Sequence, residues 1–119
     1  MPLASHPRAR DAAQAARCAG AEGKYWPYHD RLFADQAAMQ KEDFVRHASA
    51  LGLDMGRFGS CLADEQVAEA VDRDRDQARA LGIKSTPSFI INGQYLLEGA
   101  HPIENFRTAI DEALRARRR

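Results

Sequence analysis

Between Ser85 and Gly93 the chain reads Ser-Thr-Pro-Ser-Phe-Ile-Ile-Asn-Gly, and this stretch restricts the possible folds more than any other. A short apolar run entered through X-Thr-Pro and closed by Asn-Gly reads as a buried strand approached by a proline loop. Phe89, Ile90 and Ile91 are consecutive apolar residues, the pattern of a strand covered on both faces. Asn92 and Gly93 both tolerate positive φ, which predicts a two-residue type I′ hairpin turn. Tyr95 and Leu97 alternate in the return strand, and Gly99 breaks it. Pro102 then opens a last helix with Ile103, Phe106, Ile110 and Leu114 along one side.

Upstream, residues 7 to 82 are helical in pattern almost throughout, with no repeat, low-complexity tract or linker before the strand region. A first helix starts near Pro7 and carries Ala9, Ala12, Ala13, Ala16 and Ala19, small side chains that allow close approach to a neighbour. Gly20 and Gly23 bracket its end. A second carries Tyr25, Trp26, His29, Leu32 and Phe33, with Pro27 confined to the first turn. Tyr25, Trp26 and Phe33 are read as helical core, and His29 as a packing or hydrogen-bonded residue. A third uses Phe44, Val45, Ala48 and Leu51 and stops at Gly52. Asp54 caps a short helix with Met55, Phe58, Cys61 and Leu62. Asp64 caps a longer one through Val67, Val71, Ala78 and Leu81, ending at Gly82. Its run Asp72-Arg73-Asp74-Arg75-Asp76 reads as a solvated face with local ion pairing.

With 17 basic and 17 acidic residues the net charge is zero, so no global field draws nucleic acid or an anionic membrane. The basic end Arg115 to Arg119 suits the negative pole of the last helix and has no interleaved aromatics. No stretch approaches the roughly 18 apolar residues of a membrane span. His6, Arg8, Arg10 and Asp11 interrupt the N-terminus before a signal sequence could form. As written, the chain is expected in the cytoplasm; as a fragment of a longer precursor it could be exported. His6, His29, His47 and His101 share no ligand spacing with cysteines or acids, and no phosphate loop or Ser-His-Asp set occurs. Neither metal nor cofactor is expected.

Several segments, in chain order, resemble the DsbA-like branch of the thioredoxin superfamily. They are Pro2-Leu3 with His6-Pro7; Ala12 to Ala19; Gly23-Lys24-Tyr25-Trp26 with Tyr28-His29-Asp30 and Leu32-Phe33; Leu51 to Asp54 with Phe58; Cys61-Leu62; Ala80 to Ile83; and Thr86 to Phe89, followed by Asn92-Gly93, Gly99-Ala100 and Pro102. The resemblance implies an α/β fold, α+β in content: one incomplete domain over 1–119. Residues 7–82 would be the family's helical insertion. Residues 83–119 would be the cis-proline loop, hairpin and final helix of the thioredoxin half. Pro2-Leu3 would be the tail of a second strand, and the preceding strand–helix–strand with its Cys-x-x-Cys is not in the sequence.

Catalytic residues are therefore not carried over, because the family's chemistry needs a thiolate at a helix start and a resolving partner. By resemblance Pro87 would be the cis-proline, and Ser85, Thr86 and Pro87 a substrate loop in which Thr86 offers backbone hydrogen bonds. Cys18 and Cys61 match positions where many members carry an additional pair. They are either bridged, as an exported setting favours, or two buried thiols, as a reducing cytosol favours. The expected function is that of a non-catalytic, self-associating structural or binding module linked to thiol–disulfide oxidoreduction. The alternative is the C-terminal part of an active oxidoreductase, or of a glutathione-transferase or isomerase-type relative, whose first half is missing or supplied by another polypeptide. The apolar strand Ser88–Asn92 has one partner in the chain. A two-fold dimer through that strand, or a protein supplying the missing half, is therefore expected.

Overall fold

The computed structural model describes residues 1–119. Its elements are α1 (Ala9–Gly20), α2 (Tyr25–Ala34), α3 (Lys41–Ala50), α4 (Met55–Leu62), α5 (Glu65–Ala80), β1 (Ser88–Ile91), β2 (Tyr95–Glu98) and α6 (Ile103–Arg117). Six helices and a two-stranded sheet give the mixed content of a partial thioredoxin-like fold. The chain forms two compact units, Met1–Ala78 and Arg79–Arg119.

In the first unit, the alanine-rich face of α1 is the floor of the core. Ala15, Ala16, Cys18 and Ala19 are buried, and the absence of bulk lets α2, α3 and α4 all pack on this one helix. The large side chains come from the other three: Tyr28 and Leu32 from α2, Phe44 from α3 and Phe58 from α4. The Tyr28 hydroxyl, fully buried, donates to the Phe44 carbonyl oxygen at 2.9 Å, so its polar atom is satisfied inside the core. Burial also pushes its ionisation well above the ordinary phenol range.

Local signals set the helix ends. The Asp54 Oδ1 accepts from the Arg57 N–H at 3.0 Å, and the Asp64 Oδ1 from the Gln66 N–H at 2.8 Å. At the end of α3, Gly52 has φ 72°, Leu53 N donates to Ala48 O, and Gly52 N donates to Ser49 O. That pair of bonds is a Schellman motif, which needs the left-handed residue glycine supplies.

Several sequence expectations change. Helix α1 begins at Ala9, because Pro7 lies in a turn closed by His6 N to Leu3 O and Ala9 N to His6 O. Pro2-Leu3 is irregular chain, not the tail of a strand, since the sheet contains only β1 and β2. Tyr25, Trp26 and Phe33 are exposed, Trp26 by 67%. A ten-residue helix buries one stripe, and Tyr28 with Leu32 occupy it; Trp26, His29 and Phe33 share the opposite one. His29 hydrogen-bonds Asp30 and stacks on Phe33, with ring centroids 4.6 Å apart. The alternating run on α5 pairs beyond its own helix. Arg10 of α1 grips Asp72 with two bonds of 2.8 and 2.9 Å, and Arg17 reaches Asp74 at 3.4 Å. The first pair is partly exposed and the second exposed, so neither adds much to stability. Helix α5 ends at Ala80, leaving Leu81 outside it and exposed.

In the second unit β1 and β2 pair antiparallel, Phe89 opposite Leu97 and Ile91 opposite Tyr95. That register leaves Asn92, Gly93 and Gln94 in the loop, so the turn is one residue longer than the expected pair and β1 stops at Ile91. Asn92 (φ 55°) and Gly93 (φ 68°) both adopt positive φ, and Gln94 N donates to Ile91 O at 3.2 Å. Neither face of β1 is fully covered within the chain: Phe89 is 40% and Ile90 44% exposed. Phe89 meets Phe106 of α6 edge to face at 4.8 Å. The His101 Nε2–H donates to the Glu98 carbonyl, which leaves Nδ1 to accept from Asn105 Nδ2 at 2.9 Å and ties β2 to the start of α6.

Two substitutions measure this core. Phe58→Ala should destabilise the protein by about 3–5 kcal/mol through cavity formation. Tyr28→Phe should cost about 1 kcal/mol, the net worth of its one buried hydrogen bond. Urea unfolding followed by circular dichroism checks both values.

Candidate functional site

Helices α1 and α4 run antiparallel, and three links hold them. Near the end of α1, Glu22 Oε1 accepts from the Asp54 N–H at 2.9 Å. At the other end of α4, the buried Gln14 donates its Nε2 to the Leu62 carbonyl at 2.8 Å. That oxygen is among those a helix leaves unpaired at its C-terminus. Between these links Cys18 and Cys61 are joined as a disulfide, their Cα atoms 5.8 Å apart. Of the two readings the sequence left open, the bridge is the one observed.

Bonding and burial define what this pair presents. Cys18 is 1% exposed, and no free cysteine remains in the chain. A nucleophilic sulfur must be a thiolate in reach of its target. Bonded to each other, these two present none, and neither opens a helix: Cys18 lies well inside α1 and Cys61 near the end of α4.

Ser85, Thr86 and Pro87 adjoin in one exposed loop before β1. The Thr86–Pro87 peptide bond is cis. Two hydrogen bonds hold the loop: the Ser88 hydroxyl donates to the Ser85 carbonyl at 2.7 Å, and the Pro87 carbonyl accepts from the Gly99 N–H at 2.8 Å. The second bond fastens the loop to the end of the return strand. Neither backbone polar group of Thr86 takes part in a turn, loop or cap bond, so both remain available at the surface.

Two features of the first unit escape sequence reading. Tyr28, the polar centre of the core, stood among four other aromatic or histidine residues on α2 with nothing to single it out. His47 is 2% exposed on α3. Phe44, His47, Ala48 and Leu51 share the i, i+3, i+4, i+7 stripe, so the periodicity that located the helix also contained this signal.

Removing the cross-link should be costly. The bond closes a separation of 43 residues, which in the chain-entropy view is worth about 4 kcal/mol. Reduction with dithiothreitol, or the Cys18→Ala/Cys61→Ala pair, should lower the free energy of unfolding by about that amount or somewhat less. A chemical denaturation midpoint unchanged by reduction would show that the link adds nothing.

Comparison with known proteins agrees with the architecture. The chain matches the DSBA-like thioredoxin domain over residues 2–111. It is 37% identical over 114 residues to Na(+)/H(+) antiporter NhaA 1 of Salinispora arenicola, covering 95% of this chain and 17% of that protein. It is 36% identical over 119 residues to Na(+)/H(+) antiporter NhaA 3 of Salinispora tropica, covering 99% of this chain and 18% of the relative. The match to Na(+)/H(+) antiporter NhaA of Herminiimonas arsenicoxydans is 37% over 113 residues, 95% of this chain and 18% of that one. The chain thus spans under a fifth of the length of the curated relatives it matches. No helix is long and apolar enough to cross a membrane. No solved structure matches. With the family domain matched across nearly its whole length, the chain belongs to the DSBA-like thioredoxin family.

Proposed function

We propose that this chain is a DsbA-family module linked to protein thiol–disulfide oxidoreduction that acts without catalysis of its own, as a self-associating binding module. One observation carries the reading: its two cysteines are spent on a buried bond between α1 and α4, leaving no dithiol to exchange with a substrate. The bonded pair also supports an oxidising, exported setting over the reducing cytosol. In this reading 1–119 is one incomplete family domain, with 7–82 its helical insertion and 83–119 its thioredoxin half. The Ser85-Thr86-Pro87 loop offers the free backbone groups of Thr86 to an extended polypeptide.

Self-association follows from the second unit. Strand β1 is hydrogen-bonded to β2 along one edge and has an open second edge. Open edges recruit strands, and a two-stranded ribbon is marginal alone in water. The partner proposed is a second copy, pairing β1 with its symmetry mate into a four-stranded sheet that closes this edge.

A second reading is favoured by the short span of the matched relatives: the chain would be the C-terminal part of an active oxidoreductase, or of a glutathione-transferase or isomerase-type relative, completed by another segment. The ion-exchange activity in the relatives' names is not carried over, because the match covers under a fifth of them and no helix of the chain is long and apolar enough to cross a membrane.

Two measurements test the first reading. Light scattering at micromolar concentration should give twice the 13.2 kDa chain mass, and Ile90→Pro should return it to the monomer. Insulin reduction by dithiothreitol should proceed at the uncatalysed rate with the chain present. A monomer with β1 protected from hydrogen exchange would overturn the dimer, and accelerated insulin reduction would overturn the non-catalytic assignment.

A further inference from the structure

The core of the first unit contains one ionisable ring that the proposed function does not use. His47 of α3 is 2% exposed, and its Nδ1 accepts from the Arg31 Nε–H of α2 at 3.3 Å. The Tyr28 ring meets it edge to face, with centroids 6.1 Å apart. Its Nε2 is buried without a hydrogen-bond partner. A nitrogen that accepts a bond carries no proton, so the ring is the neutral tautomer with its hydrogen on Nε2. A further proton can go only to Nδ1, the atom that faces Arg31. Protonation would turn this acceptor, one of two that join α2 to α3 beside the Phe44 carbonyl, into a donor and set an imidazolium against a guanidinium.

The surrounding charges do not relieve this conflict. Burial most of all opposes a charged His47, followed by Arg46 on α3 and Arg31 on α2. Asp35, just after α2, and Asp43 on α3 favour it. Both carboxylates are already engaged by Arg46, at 3.2 and 3.1 Å, and Asp43 also accepts from the Gln40 N–H. Tyr28, the other titratable group against the ring, is neutral and gives its hydroxyl to Phe44 O.

We propose that His47 is an acid-sensitive latch: neutral, it closes α2 onto α3; protonated at Nδ1, it releases α2 while the Cys18–Cys61 bond keeps α1 and α4 joined. Release bares Tyr28 and Leu32, the inner stripe of a helix whose outer stripe already displays Trp26 and Phe33. The latch rests on the first unit alone and stands whether or not the module is catalytic.

The sign follows from where the proton binds. In the closed form His47 titrates below its ordinary range, and in the open form near the free value of about 6.5. The open form therefore binds more protons. The closed form is fully stable above about pH 6.5 and loses up to roughly tenfold in its equilibrium per pH unit below it, until the depressed value is passed. Free carboxylates titrate near pH 4, well below the start of this window.

Hydrogen exchange on the full, oxidised chain between pH 7.5 and 5, corrected for intrinsic rates, tests the proposal. Protection in α2 and α3 should fall by up to about tenfold per pH unit below 6.5, with α1 and α4 changing less than about twofold. His47→Gln should abolish this pH dependence, and His29→Gln should preserve it. A direct NMR titration of the His47 ring in the unmodified protein decides the matter even where the His47→Gln variant fails to fold. A ring titrating at or above 6.5, uniform loss across all four helices, or pH dependence surviving in His47→Gln would each overturn the latch.

Discussion

The first unit depends on how closely α1 can be approached. Ala15 and Ala19 present almost no side chain to their neighbours, so α2, α3 and α4 can all reach this helix and one another. Burial of Tyr28, Phe44 and Phe58 in one cluster follows from that closeness, and the Tyr28 and Phe58 rings meet with centroids 5.8 Å apart. The Cys18–Cys61 bond fixes α4 at the same short distance, and Gln14 and Glu22 align it by satisfying a backbone group at either end. A larger residue at Ala15 or Ala19 would disturb the packing, both hydrogen bonds and the sulfur link together.

The second unit is built on the opposite balance. Its apolar side chains outnumber the surfaces available to cover them: Ile103, Ile110 and Leu114 of α6 and Phe89 and Ile90 of β1 are all exposed, with Ala113 alone in the buried class. The Phe89–Phe106 contact and the His101 bridge hold helix to hairpin without filling a core. Such an arrangement gains little from burial inside the chain, and most of its hydrophobic stabilisation must come from whatever surface it meets.

What the sequence revealed and what it hid divide along physical lines. Periodicity, caps and turn residues are local signals, so all six helices, the Asp54 and Asp64 caps, the Gly52 stop and the hairpin were legible. The family resemblance was equally plain, because its motifs run in order through the chain. Side-chain direction was not. Trp26 and Phe33 were read as core by their chemistry, yet Tyr28 and Leu32 hold that face, and no property of the isolated helix says which stripe turns inward. The reach of Arg10 to Asp72 spans 62 positions and leaves no trace in local pattern. The added residue at Gln94 shifts the hairpin by a register choice that Asn92-Gly93 alone does not dictate. For the site, Thr86 and Pro87 were legible as a loop and Cys18 and Cys61 as a pair, while the oxidation state depended on three-dimensional proximity.

The sulfur link also makes a ring of the backbone. Everything from Cys18 to Cys61, including α2, α3 and the exposed Gln36–Ala37 junction between them, lies inside one covalent circle. A protease that severs the main chain at that junction would split no molecule: both pieces would travel together at nearly unaltered mass and come apart only once the sulfurs are reduced. Intact migration on a non-reducing gel is thus no proof of an uncut chain in this protein.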